Sequence, residues 1–447
     1  MRRRTFSKKI MAGSALGFTG YTMPIGSYAE KVLQPKQKPY GEQYFDWAAK
    51  VWERQATSEL PIIGQAADKA TETIKNGKKL YSQAMLGHML TTELRKDRPG
   101  NPGYLDTWRW SATDEMYASI GKGDFLLFDW TKKRVKDAHD RGAFTVGVRV
   151  PYVPNKTTPK GVLSQTNQLL FTDGLLTEDC SDLVLTSGVP FTSGVLSYPE
   201  IPSVRAFPLC VQGVGIFYWM LTAEIAARVR GGAAMGSTDR ALEYVNLICK
   251  RGKKILADLG HIDEAAKAMV EYVRGGGRYW NYSYGCEMDA ENEQRASGLP
   301  MSQGISPGSY KDRLKPGHFV IISGEHSDVK ENYEMALAVK AVGAKVINIG
   351  PARTEGSTGK DLSKIADWHI ETYSPEREGA LSVSGFDKKI CPTTGILFAL
   401  ALWITNAQFV ARMIEADMTP GFDMGGHLIG GSAYDKDVRA IVDKRGY

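Results

Sequence analysis

Uninterrupted apolar runs stand at matching places in the two halves of the chain. Residues 125–128 and 319–322 contain only large apolar side chains, and each run follows a glycine-containing turn. Such a run, without the alternation of a half-exposed strand, is typical of a strand buried on both faces of a parallel sheet. A helical segment and a further strand pattern, at 144–148 and 345–349, follow in each half. This order predicts right-handed crossovers and parallel sheets flanked by helices.

The order of elements occurs twice, which indicates an internal repeat. Gly285 lies 198 residues after Gly87 (285 − 87), and Glu291 lies 198 residues after Glu93 (291 − 93). In both places a short strand ends at a glycine turn, and a helix carrying the glutamate follows. We therefore expect the two glutamates to occupy equivalent positions in two related units.

The length of the chain agrees with two units. A chain of 447 residues is too long for one ordinary core. We predict the α/β fold class, with one open parallel sheet flanked by helices in each half and the halves arranged as an internal pseudo-dimer. The predicted domains are 30–230 and 231–447, joined near Gly231 and Gly232. Each ends on a long apolar helix, at 215–228 and 395–413 respectively.

The first 29 residues have the pattern of an export signal. Five positive charges and no acid occur in residues 2–9, a weakly apolar stretch covers 10–25, and small residues precede a cleavage position at Ala29. The Arg3-Arg4 pair resembles a twin-arginine signal, which serves proteins exported already folded. We expect a periplasmic or otherwise exported protein. The alternative is a basic start on a cytosolic chain.

This segment accounts for most of the net charge. The formal charge is +6, and removal of the signal takes away five positive charges, which leaves 6 − 5 = +1. The excess therefore gives no support to a nucleic-acid partner. The most apolar run, 396–404, is about half of the ~20 residues that a membrane-spanning helix needs. We expect no nucleic-acid partner and no membrane association after signal removal. The five cysteines show no CxxC spacing, so no disulfide framework follows from them.

Four loop motifs of the chain point to a family. They are Gly87-His88-Met89, the segment 182–190, Ser323-Gly324-Glu325-His326-Ser327 followed by Gly343-Ala344, and Cys391-Pro392-Thr393-Thr394-Gly395. These motifs resemble those of SIS (sugar isomerase) domains, above all the uncharacterised bacterial SIS proteins that bind phosphosugars. The resemblance covers roughly residues 42–440, where the SIS pattern occurs twice. It implies SIS-like parallel sheets, a small-molecule sugar ligand and, because SIS domains often assemble in pairs, a homodimer.

The family's ligand loops map onto glycine turns and hydroxyl residues of the second half. Turns of this kind present backbone N–H groups at the carboxyl ends of parallel strands, where open sheets bind ligands. Glu325 departs from the family pattern and would repel a phosphate, and the matching loop at Asp129 has lost its Ser-Gly signature. We therefore favour a neutral or oxidised sugar over a sugar phosphate, with Glu325 and Asp129 accepting from hydroxyl groups. The predicted ligand-binding residues are Ser283, Ser323, Gly324, Glu325, Ser327, Thr393 and Thr394.

Isomerisation of a sugar needs a base that moves a proton between adjacent carbons through an enediol. Glu93 and Glu291 are the candidate bases, and the alternative for each is a solvated carboxylate near a helix N-terminus. His88 stands directly on the first glycine turn and is a candidate for ring opening or for the second proton transfer. The alternative is a hydrogen-bonded histidine of the turn. Zinc-dependent relatives use His-x-x-x-Glu, but His88 and Glu93 are five residues apart and do not share a helix face. We expect no cofactor; zinc is the less favoured alternative.

His326 is the candidate acid–base group of the second half. Its neighbours Glu325 and Asp328 are expected to raise its pKa. The alternative is an ordinary histidine in a surface loop. Together these residues predict a carbohydrate isomerase-type enzyme that acts by enolisation. The alternative function is a non-catalytic sugar-binding protein that kept the fold and lost the chemistry.

Overall fold

The computed structural model describes residues 38–83, 91–108, 113–293, 295–352, 360–377 and 379–447. The predicted export signal and the turn that carries His88 lie outside these ranges. The predictions made for them therefore stay predictions.

The first half begins with two amphipathic helices, after which a five-stranded sheet alternates with short helices. The helices are α1 Tyr40–Gln55, α2 Leu60–Lys75, α3 Asp114–Ala118, α4 Lys133–Asp140, α5 Gln165–Thr172 and α6 Cys210–Val229. The strands are β1 Leu80–Gln83, β2 Leu105–Trp108, β3 Phe125–Phe128, β4 Phe144–Arg149, β5 Leu183–Thr186, and the antiparallel pair β6 Gly194–Leu196 and β7 Ala206–Pro208.

The second half repeats this plan. Its helices are α7 Asp239–Ala257, α8 Leu259–Arg274, α9 Met288–Glu293, α10 Tyr310–Arg313, α11 Lys330–Ala341, α12 Leu362–Ile365, α13 Thr394–Glu415 and α14 Gly431–Arg445. Its strands are β8 Tyr279–Ser283, β9 Ser302–Gly304, β10 Phe319–Ser323, β11 Lys345–Gly350 and β12 Trp368–Glu371.

The two sheets have the same topology. The strand orders are β2-β1-β3-β4-β5 and β9-β8-β10-β11-β12, and every neighbouring pair in both sheets is parallel. The central registers also correspond, because Leu80 pairs with Phe125 in the first sheet and Tyr279 pairs with Phe319 in the second. The predicted fold class is therefore confirmed. The edge strands β2 and β9 and the β6–β7 pair were not predicted.

Two long apolar helices form the centre of the core. Helices α6 and α13 are long and apolar enough, by length and composition alone, to cross a membrane, and the sequence did not predict this length. Almost all of each helix is buried inside the fold, as in the core of a folded domain. Helix α6 packs against α2 of its own half and α7 of the other, whereas α13 packs against α8 and α1.

Because the core helix of each half packs against a helix of the other half, the two halves are arranged as a pseudo-dimer. Residues 39–447 form one compact unit with a hydrophobic core that both halves share. Residues 230–238 connect α6 to α7, close to the predicted join. The domain boundary itself stays a prediction.

Candidate functional site

Glu93 lies in a buried ion pair rather than on a solvated helix. It belongs to a single 3-10 turn, Thr91–Leu94, and only 3% of its surface is exposed. Arg98 donates to both carboxylate oxygens of Glu93, from Nε at 3.0 Å and from Nη2 at 3.1 Å. Burial raises the pKa of Glu93 to about 7, against the opposing charge of Arg98. The solvated alternative for Glu93 is therefore wrong.

Glu325 reaches the same arginine from the other half of the chain. Arg98 Nη1 lies 3.0 Å from Glu325 Oε2. Arg95 donates to the two carboxylate oxygens of Glu325, each at 3.3 Å, and to the carbonyl of Gly285 at 2.8 Å. We call Glu93, Arg95, Arg98 and Glu325 the Glu93 cluster. Two carboxylates and two guanidinium groups balance its charge.

The role predicted for Glu325 toward a ligand stays a prediction. The sequence suggested a carboxylate that repels phosphate and accepts from sugar hydroxyls. Both of its oxygens contact arginine, and its charge is paired. This pairing weakens the repulsion that Glu325 would exert on an anion. Asp129 does not belong to this cluster and is described below.

The start of α13 forms one wall of the cluster. A Cβ atom on Gly395 would come within 2.7 Å of Glu93 Cγ, so glycine allows the glutamate to lie across the helix start. Thr394 is the buried first residue of that helix. The hydroxyl of Thr393 receives a hydrogen bond from Arg251 at 2.8 Å and donates to Ser374 at 3.3 Å. A small pocket beside this wall is lined by Glu93, Leu94, Val211, Gly215, Trp219, Gly395 and Ile396.

Asn332 joins the turns after β8 and β10, a role that the sequence did not indicate. Its side chain accepts from the N–H of Tyr284 at 3.0 Å and donates to the carbonyl of Ser323 at 2.9 Å. A Cβ on Gly324 would lie 2.6 Å from the Asn332 amide nitrogen, so a glycine is required there. Asn332 thus holds two of the predicted ligand loops in register.

The hydroxyl of Ser283 is engaged inside its own turn. Its Oγ lies 2.6 Å from the carbonyl of Cys286 and 2.7 Å from the carboxylate of Asp289. Ser283 therefore organises the turn, and its role toward a ligand stays a prediction.

His326 is half-buried beside the Glu93 cluster. Burial lowers its pKa, and the opposing effect of Glu325 does not reverse this. The sequence predicted a raised pKa, which is wrong because burial was not visible in the sequence and because Asp328 is paired with Arg377, 2.6 Å away. A histidine of this kind is neutral near pH 7 and carries one donor and one acceptor.

Glu291 lies in a second buried cluster, away from the predicted ligand loops. Its carboxylate accepts from Trp403 Nε1 at 2.9 Å and is ion-paired with Arg295 Nε at 3.0 Å. Glu291 is fully buried, and burial raises its pKa to about 7. Asp129 accepts from the hydroxyl of Tyr152 at 3.2 Å. Burial raises the pKa of Asp129 to about 8, although the charge of Arg295 opposes the shift.

We call Asp129, Glu291 and Arg295 the Glu291 cluster. The solvated alternative for Glu291 is wrong, and Asp129 is too deeply buried to accept from the hydroxyl of a sugar bound at the surface. Of the predicted bases, only Glu93 is brought together with Glu325 and the Thr393 turn. Arg95 and Arg98 were missed, although an arginine closely follows each glutamate of the repeat: Arg98 is five residues after Glu93, and Arg295 is four residues after Glu291.

No family model matches the chain. A UPF0309 protein from Listeria monocytogenes is 26% identical over 206 residues, which cover 41% of this chain and 87% of that protein. A second UPF0309 protein, from Caldanaerobacter subterraneus, is 25% identical over 239 residues, which cover 45% and 97%. Each of these relatives therefore matches less than half of this chain.

Solved structures also resemble the chain. One is the tagatose-6-phosphate ketose/aldose isomerase from Escherichia coli, with a TM-score of 0.46, 10% identity, and coverage of 86% of this chain and 97% of that one. Another is the C-terminal domain of the glucosamine-fructose-6-phosphate aminotransferase from Francisella tularensis, with a TM-score of 0.45, 9% identity, and coverage of 83% and 96%.

Proposed function

We propose that this chain is a carbohydrate isomerase-type enzyme that acts by enolisation at the Glu93 cluster. One observation carries the proposal: Glu93 and Glu325, from opposite halves, share Arg98 beside the start of α13. The site adjoins the carboxyl ends of β8 and β10, where an open parallel sheet binds its ligands. A buried carboxyl group in such a place is a candidate for acid–base chemistry.

Glu93 is the base in this proposal. It removes the proton from the carbon next to the sugar carbonyl, and an enediol forms as the carbonyl oxygen is protonated. Glu93 then returns the proton to the adjacent carbon, while the second hydroxyl gives up its proton. A pKa of about 7 suits both steps, because the ionised and protonated forms are both populated near neutral pH.

His326 moves the proton between the two oxygens in the same proposal. Burial lowers its pKa, so the ring is neutral near pH 7. Because Nδ1 accepts from the backbone N–H of Arg377, the ring proton lies on Nε2, which gives a proton to one sugar oxygen and takes one back from the other. Arg95 belongs to the Glu93 cluster and its side chain is 36% exposed, so it is placed to contact an entering sugar. The ligand class that the proposal requires is a small sugar with an accessible carbonyl.

A non-catalytic sugar-binding protein is the second candidate function. The observation that favours it is the engagement of both Glu93 oxygens by Arg98. A base must release one of these hydrogen bonds before it accepts a proton from carbon. If Arg98 keeps both bonds with ligand present, the cluster binds sugars without chemistry.

Solvent isotope exchange distinguishes the two candidates. Purified protein is incubated in D₂O with a panel of neutral aldoses, ketoses and their 6-phosphates, and carbon-bound deuterium is read by NMR. The isomerase proposal predicts deuterium at the carbon next to the carbonyl of at least one sugar. A ligand-induced rise in the melting temperature without any exchange would contradict the isomerase and support the binding protein.

A further inference from the structure

The turn at residues 325–328 has the construction of an anion-binding site. It leads from β10 into α11, a helix of 12 residues. Backbone N–H groups near a helix start, together with the helix dipole, favour a negative group. Ser327 is 2% exposed, and within the described part of the chain its hydroxyl has no hydrogen-bond partner. A buried hydroxyl without a partner beside such a turn points to an absent or displaced ligand group.

A carboxylate of the chain itself occupies this position. Glu376 Oε1 accepts from the backbone N–H of Ser327 at 2.5 Å, and Glu376 is only 7% exposed. The next residue fixes the contact, because Arg377 donates from Nη2 to Asp328 at 2.6 Å and from its backbone N–H to His326 Nδ1 at 3.3 Å. The segment 374–377 therefore lies across the turn.

The same segment reaches the Glu93 cluster. Ser374 accepts a hydrogen bond from Thr393, the residue that precedes α13, and Gly395 of that helix lies against Glu93. The charge of Glu376 also acts on His326, as does that of Arg98. Glu376 thus belongs to the surroundings of the proposed catalytic site.

We propose that Glu376 fills the position that an anionic group of a ligand would take, so that the sugar accepted at the Glu93 cluster carries no phosphate at this turn. The inference deepens the proposed function and rests on it. Two anions cannot share one backbone N–H at hydrogen-bond distance without a large repulsion. Glu376 therefore replaces Glu325 as the physical reason to favour a neutral sugar.

Binding of inorganic phosphate, measured by isothermal titration calorimetry on the full chain, tests the assignment. We expect no saturable binding to the wild-type protein up to about 10 mM, a concentration that detects even weak sites. Glu376→Ala removes the carboxylate and frees the Ser327 N–H, beside the unpartnered Ser327 hydroxyl. We expect it to bind phosphate at least about tenfold more tightly than the wild type does.

The matched control is Glu331→Ala. Glu331 lies in the first turn of α11, so its removal changes the charge at the same helix start by the same amount. We expect no gain in phosphate affinity for this variant. Equal gains in the two variants would overturn the inference, because they would reflect net charge rather than an occupied position. Saturable phosphate binding to the wild type at the affinity of Glu376→Ala would also overturn it.

A second variant protects the test against misfolding. If Glu376→Ala loses its cooperative thermal transition, Glu376→Ser removes the charge and is too short to place an acceptor at the Ser327 N–H, while it keeps a polar side chain at the position. Phosphate must then bind more tightly than to the wild type, and an unchanged affinity would overturn the inference. The readout is independent of catalysis: a gain of phosphate binding without isotope exchange on any sugar contradicts the proposed function alone.

Discussion

The Glu93 cluster and the Glu291 cluster have the same backbone arrangement and different surroundings. In each, a glutamate and an arginine come from one half and a further acid comes from the other. In each cluster, the backbone carbonyl two residues after the arginine accepts a hydrogen bond from the other half. Gly100 accepts from the N–H of Cys391, and Ser297 accepts from the N–H of Phe207, both at 2.8 Å. Both donors have a positive φ and precede a proline, which confirms their equivalence.

The difference lies in the access of solvent and in the helix starts. The matched pairs are equally buried, since the side chains of Arg98 and Glu93 are 1% and 4% exposed and those of Arg295 and Glu291 are 5% and 0% exposed. The Glu93 cluster differs in its second arginine, Arg95, which is 36% exposed. The Thr393-Thr394 pair at the start of α13 is matched by the apolar pair Leu209-Cys210 at the start of α6. The two halves therefore share a buried ion-pair cluster, and only one of the two clusters has hydroxyl side chains at the adjoining helix start. We infer that the chain has one working site and that the Glu291 cluster is structural.

The largest expected effect is a difference in exchange rate between variants of Glu93 and variants of Glu291. Glu93→Gln should reduce the rate of deuterium exchange into a substrate sugar by about 10²- to 10⁴-fold, because the variant has no general base. Glu291→Gln should leave the rate within about threefold, since that side chain is sealed between Trp403 and Arg295. The measurement is NMR-detected exchange at saturating sugar, with both variants first shown to unfold cooperatively.

The reverse result would contradict the assignment of the working site to the Glu93 cluster. If Glu291→Gln abolishes exchange and Glu93→Gln does not, the working site is in the closed cluster, and solvent access is the wrong criterion. If both variants lose exchange to the same extent, the two clusters act together and the single-site interpretation fails.

A smaller effect concerns stability and pH. Burial raises the folded-state pKa of Asp129 to about 8 from an ordinary value of 3.8. Between these two values the folded state binds the proton more tightly than the unfolded state, so the free energy of unfolding falls as pH rises. The slope that one such group contributes is at most about 1.4 kcal/mol per pH unit. Asp129→Asn should remove this contribution.

Urea unfolding at pH 5, 6, 7 and 8 measures this effect. We expect Asp129→Asn to gain stability relative to the wild type as the pH rises and to show a flatter profile. Glu93→Gln serves as the comparison, because the raised pKa of Glu93, about 7, confines its contribution to a narrower range of pH. A wild-type slope retained in Asp129→Asn would show that this carboxyl group is not held protonated by burial.

Much of the fold could be predicted from local sequence patterns. The apolar runs at 125–128 and 319–322 became the central strands β3 and β10, and the repeat predicted two sheets of one topology. The glycine turn at Gly285 and the Thr393 turn also lie beside the proposed site. These features depend on periodicity and turn chemistry, which a single sequence displays.

The chemistry of the site could not be read in this way, because it depends on contacts between distant residues. Arg95 and Glu325 are 230 positions apart, so only the packing of the halves brings them together. The pKa of His326 was predicted in the wrong direction because neighbours in sequence are visible and burial is not. The edge strands β2 and β9 contain polar residues and form no apolar run, so they do not show the pattern of a buried strand.

The smallest expected effect tests the shared backbone arrangement itself. Tyr44 of α1 donates to the carbonyl of Pro208 at 2.8 Å, and Tyr244 of α7 donates to the carbonyl of Pro392 at 2.7 Å, with both side chains fully buried. Each bond holds the segment that precedes a core helix of the same half. Tyr44→Phe and Tyr244→Phe should each lower the free energy of unfolding by about 1–2 kcal/mol, because each leaves a buried carbonyl without its donor.

The two losses should agree within about 0.5 kcal/mol in urea unfolding, since the contacts are equivalent. The effects of the two variants on isotope exchange into a sugar should differ. Tyr244 lies near Glu93 and Arg98, whereas Tyr44 lies near Glu291 and Arg295. Only Tyr244→Phe should therefore alter isotope exchange. Unequal stability losses would contradict the structural equivalence of the halves, and an exchange defect in Tyr44→Phe would contradict the assignment of a single working site.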